Sequence, residues 1–74
     1  MHVQSTEKIQ IVLNGEQRTV PAGLNVLGLL RTLGIDPGRV AVELNLSIVR
    51  KPEWEATEVG PGSRVEIVQF VGGG

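Results

Sequence analysis

From Lys8 the chain alternates apolar and polar positions. In KIQIVLN, Ile9, Ile11 and Leu13 share one face, the period of a half-buried strand. Asn14-Gly15 follows, a pair favoured in tight hairpin turns because both residues tolerate positive φ, and EQRTV returns as a second strand. Pro21-Ala22-Gly23 breaks that strand, and the period then changes. Val26, Leu29, Leu30 and Leu33 recur at i, i+3, i+4 and i+7, one stripe of a helix roughly two to three turns long. Asn25 is placed to cap its start and Gly34 to end it in a left-handed conformation, and Asp36-Pro37-Gly38 keeps it from resuming. Alternation returns in VAVEL, where Val40, Val42 and Leu44 oppose Ala41 and Glu43, and a turn leads to the short SIV segment. Residues 50–63 hold Pro52, Pro61 and two glycines without a period, so they read as an irregular loop with Trp54 as its large apolar anchor. RVEIVQF closes the pattern as a strand with Val65 and Ile67 inward.

The order strand, strand, helix, strand, short strand, loop, strand predicts an α+β fold. The stripe of one short helix can cover only one face of a sheet, so the expectation is a mixed sheet of four to five strands with a helix across one side. This arrangement most resembles the ubiquitin-like β-grasp. Gly28 lies within the helix at a cost of about 1 kcal/mol relative to Ala and is expected to be simply tolerated. With 74 residues there is room for a single core, and without cysteine no disulfide can staple it. That core must be aliphatic, because Phe70 and Trp54 are the sole aromatic residues.

Charge removes several functions. Seven basic and eight acidic residues are scattered along the chain, giving a net charge of −1 and no basic patch for nucleic acid or anionic lipid. No apolar run approaches the length of a bilayer span, and MHVQSTEK lacks the core of a signal peptide, so a soluble, cytoplasmic chain is expected. A single histidine, His2, cannot build a metal site or a nucleophilic triad, and the absence of thiols excludes a thiolate-held iron–sulfur cluster. Gly60-Pro61-Gly62 precedes no Lys-Ser/Thr pair and no helix, so it is a turn and not a phosphate loop. Glu53, Glu55 and Glu66 read as solvated surface, and Trp54 as the plug that holds its loop down.

What remains is the end of the chain, VQFVGGG. An α-carboxylate at Gly74 is ionised at neutral pH and becomes an acyl donor once adenylated. Gly72 and Gly73 have no side chains, so an extended tail could thread a narrow channel in a partner's active site. The expected division is an N-terminal extension over residues 1–7, a folded domain over 8–71 and a flexible glycine tail over 72–74. Val68 and Phe70 fall on the face opposite Val65 and Ile67 and, with Val71, are candidates for docking a partner beside the tail; packing beneath the long loop is the competing expectation.

From about Lys8 the chain resembles the thiamine-biosynthesis sulfur-carrier family, small β-grasp proteins ending in Gly-Gly. The resemblance is carried by LNGE at Leu13–Glu16, the LGLLRTLGI helix, VAVELN at Val40–Asn45 and RVEIVQFVGGG at the end. Leu46, where a turn glycine is common, and Ser63, where aspartate is usual, depart from the pattern, as does the N-terminal stretch. The resemblance implies a protein that is acted upon and is not itself an enzyme. An E1-like adenylating enzyme would use ATP on the Gly74 carboxylate, a cysteine desulfurase persulfide would supply sulfur, and thiazole synthase would take it from the resulting thiocarboxylate. No bound cofactor or metal is implied. Supply of sulfur to molybdopterin or cysteine, or conjugation to lysines as a ubiquitin-like modifier, remain open alternatives.

Overall fold

The computed structural model describes residues 7–71. Strands β1 (Lys8–Leu13) and β2 (Glu16–Pro21) form an antiparallel hairpin, helix α1 covers Val26–Thr32, and β3 (Val40–Leu44), β4 (Ser47–Val49) and β5 (Arg64–Gln69) complete one sheet. The sheet order is β2-β1-β5-β3-β4, with β5 parallel to β1 and antiparallel to β3. The last strand thus occupies the centre, and the fold is the expected β-grasp, with five strands where four to five were expected.

Sequence dictates most of these boundaries. The Asn25 side chain accepts from the Gly28 amide at 2.7 Å and caps the helix. At the other end Gly34, with φ +73, lets its own amide reach Arg31 O and that of Ile35 reach Leu30 O, the paired bonds that close a helix C-terminus. Pro21 differs from expectation: it is the last residue of β2, paired with Lys8, which an edge strand allows because the missing N–H disrupts nothing on its open side. Gly28 also differs. A Cβ there would lie 3.2 Å from Asn25 Oδ1 and 3.3 Å from Leu24 Cδ2, so the glycine makes room for the cap as well as being tolerated.

Val26, Leu29 and Leu30 of α1 are buried against Ile11, Val20, Val42 and Val65 from the sheet. Full burial of each such side chain contributes roughly 1.5–3 kcal/mol. The loop after β4 is tied to this core at two points. Trp54 is buried and donates its indole N–H to Val49 O at 2.7 Å, the anchoring expected of it. Val59, which no sequence pattern singles out, is equally buried, and its amide bonds Leu24 O while Thr57 O accepts from Val26, stitching the loop to the start of the helix.

Candidate functional site

The helix covers one face of the sheet and leaves the other bare. Along β5 the inward residues are Val65, which is buried, and Ile67, which packs against the core; Val68 and Phe70 point the opposite way and are 59% and 57% exposed. Of the two expectations for Val68 and Phe70, the structure shows the exposed one. Val71, the third candidate, is fully exposed just past the strand. The sequence reading missed two neighbours, Ile48 on β4 and Leu46 in the β3–β4 turn, which are 72% and 79% exposed. On β4 the buried Val49 faces inward, so Ile48, its neighbour on a strand of period two, faces out.

Together these side chains make an apolar surface with two shallow hollows. One, of about 440 Å³, is lined by Leu46, Ile48 and Val68 with Arg64, Glu43 and Glu66 at its rim. The other, of about 350 Å³, lies between Phe70, Ile48, Ala41 and the Arg50–Lys51–Pro52 segment. Glu43 and Glu66 are direct cross-strand partners on this face. A basic group from outside would relieve the repulsion between two such carboxylates. An apolar floor with a charged rim is a pattern shared with protein interfaces.

At the end of β5 the main chain is held in an unusual way. β1 pairs with β5 only at Val12 and Leu13, and the ladder's last main-chain bond runs from Asn14 N to Val65 O at 2.8 Å. One step further the Asn14 side chain takes over: Oδ1 accepts from Ile67 N at 2.7 Å and Nδ2 donates to Ile67 O at 3.3 Å. A carboxamide presents the same donor and acceptor as a peptide group, so Asn14 replaces the strand that is no longer there. On the opposite side Phe70 N bonds Arg39 O at 2.8 Å, keeping β5 paired to the base of β3 up to the point where the tail begins.

No group of three or more His, Cys, Asp or Glu side chains gathers to hold a metal among the described residues. Trp54 lines a further hollow of about 330 Å³ with Leu27, Pro37 and Lys51, whose Nζ lies 5.9 Å from the indole centroid, but no buried charged side chain points into it. Gly72, Gly73 and Gly74, the sulfur-attachment and threading residues expected from sequence, lie outside the described residues. No helix among the described residues is long and apolar enough to cross a membrane.

Comparison with known proteins agrees with this fold. A thiazole synthase from Paramagnetospirillum magneticum is 46% identical over 66 residues, which is 89% of this chain and 20% of that protein. One from Magnetococcus marinus is 39% identical over a stretch of the same length. The chain thus spans about a fifth of the length of these relatives. Among solved structures, the crystal structure of the thiamine biosynthesis protein ThiS from Geobacter metallireducens superposes with a TM-score of 0.78 at 36% identity, covering 89% of this chain and all of that one. The family model of ThiS itself matches residues 11–74, from the middle of β1 through the glycine tail, and with the shared sheet and helix this makes the chain a member of the ThiS family.

Proposed function

We propose that the chain is a sulfur carrier for thiazole formation in thiamine biosynthesis, and that the α-carboxylate of Gly74 is its only reacting group. The carboxylate oxygen attacks the α-phosphorus of ATP in an E1-like adenylating partner, releasing pyrophosphate and leaving an acyl-adenylate. The terminal sulfur of a persulfide, raised on a cysteine desulfurase, attacks the acyl carbon and expels AMP. A thiol then reduces the acyl disulfide, leaving a thiocarboxylate on the glycine and a disulfide on the donor. Thiazole synthase receives this sulfur. The chain contributes no catalytic side chain and binds no cofactor; ATP is the partner's substrate.

The observation that carries this reading is the match of the ThiS family model through the glycine tail. The bare apolar face of β5 and β4 next to that tail supports it, since Val68, Phe70 and Val71, with Leu46 and Ile48, provide recognition where Gly72, Gly73 and Gly74 provide reach. Thiazole synthase as the recipient is supported by relatives in which a similar segment forms part of a thiazole synthase chain. The reading requires a free carboxylate at Gly74.

Intact mass spectrometry after incubation with an E1-like adenylating enzyme, ATP and a persulfide donor tests it. Exchange of one oxygen for sulfur at the terminus is the expected outcome. An unchanged mass, or conjugates to lysine in its place, refutes the carrier function. Phe70→Asp leaves an exposed position exposed and is expected to weaken adenylation while the circular dichroism spectrum of the fold persists.

A further inference from the structure

The alternation of hydrogen bonds along β5 leaves a gap in the middle of the sheet. Arg39 and Phe70 face each other in the β3–β5 register and are joined by Phe70 N to Arg39 O, so this is a hydrogen-bonded pair. The alternate residues of β5, Val65, Ile67 and Gln69, therefore direct their N–H and C=O groups toward β1. Val65 O is taken by Asn14 N and Ile67 by the Asn14 side chain. Gln69 comes next, beyond the Asn14-Gly15 turn, and among the described residues nothing meets its N–H or C=O. Gln69 is itself exposed.

We infer that this open edge of β5 at Gln69, kept free by the Asn14 side chain ending the β1 pairing, is where the adenylating enzyme adds an extended strand of its own as it receives the tail. The inference rests on the carrier function proposed above and names how the tail is gripped. Its occupant follows from reach. Gly74 lies three residues beyond Val71, a span of at most about 10 Å when extended, so an enzyme acting on Gly74 must come up against the end of β5. An extended backbone fits there, since it offers a donor and an acceptor at the spacing that Gln69 presents. The edge also adjoins the exposed Phe70 and Val71, so strand addition and apolar docking form one continuous contact.

Main-chain chemistry tests this. Gln69→Pro removes the N–H that faces the gap and fills the gap with a ring, while the bonds to β3, made by the neighbouring residues, are retained. The purified variant is expected to melt as a folded domain, with KM for adenylation raised about tenfold, the effect of losing roughly one hydrogen bond and its complementary contact. N-methylation of the Gln69 amide by semisynthesis keeps the side chain and is expected to give the same rise. Hydrogen exchange on the native chain is an independent readout and stands even where the proline variant fails to fold. The Gln69 amide should exchange rapidly in the free protein and slow at least tenfold in complex with the adenylating enzyme. A folded Gln69→Pro with native KM, or a Gln69 amide that exchanges equally fast in the complex, overturns the edge assignment and leaves the carrier function intact. A native chain that forms no adenylate overturns both.

Discussion

Two turns flank the central strand, and their backbones are alike. Asn14-Gly15 joins β1 to β2 with φ values of +49 and +84, and Asn45-Leu46 joins β3 to β4 with φ values of +50 and +74. Each is a two-residue hairpin loop of the kind whose twist matches its strands. In each the asparagine side chain bonds β5 in place of a main-chain group: Asn14 reaches Ile67, and Asn45 Oδ1 accepts from Arg64 N at 2.9 Å. The second residue separates them. Gly15 holds positive φ without strain, whereas a leucine there costs about 1–2 kcal/mol. Leu46 recovers none of this from the core, because its side chain lies on the bare face beside Ile48 and Val68. Of two equivalent turns, the one bordering the proposed docking surface is the strained one, a distribution expected when strain serves a site.

Four substitutions break or sharpen this contrast. Asn14→Ala has the largest expected effect, a loss of about 3 kcal/mol in urea unfolding, because it removes both bonds to Ile67 and puts a less tolerant residue at positive φ. Gly15→Leu copies the second turn into the first and is expected to cost about 1–2 kcal/mol by the same measurement. Leu46→Gly performs the converse exchange. It should stabilise the domain by about 0.5–1 kcal/mol, the relief of strain less the added freedom of the unfolded chain, while raising KM for the adenylating enzyme. A stabilised variant with unaltered KM would show that Leu46 takes no part in docking. Asn45→Gly keeps the backbone conformation and forfeits one side-chain bond, for an expected loss of about 0.5–1 kcal/mol in thermal melts.

The same contrast shows what the sequence revealed. Asn14-Gly15 is an overt turn signal because glycine is written into it, and the strands on either side alternate cleanly. Helix α1 was legible for the same local reason: its stripe, its Asn25 cap and its Gly34 terminus all lie within one short window. Asn45-Leu46 carries no glycine, so its geometry was visible only as a departure from a related pattern. The bonds from Asn14 to Ile67 cross 53 residues of sequence, and no local period encodes them. Val59 was hidden by its setting, an aperiodic loop whose main-chain partners, Leu24 for Val59 and Val26 for Thr57, lie at the start of the helix much earlier in the chain. At the candidate site, alternation along β5 predicted that Val68 and Phe70 face away from the core. Leu46 and Ile48 joined them only once β4 was seen beside β3, because a three-residue strand is too short to announce its faces.

Trp54 has an optical consequence. It is the one tryptophan in a chain without tyrosine, its indole is sealed from water, and its N–H is held by the carbonyl of Val49, the residue next to Ile48. Emission from this single chromophore therefore reports the environment of β4 without labelling. A partner settling on the bare side of the sheet should alter its wavelength or lifetime, giving a stopped-flow signal that separates arrival of the proposed adenylating enzyme from the chemistry proposed at Gly74.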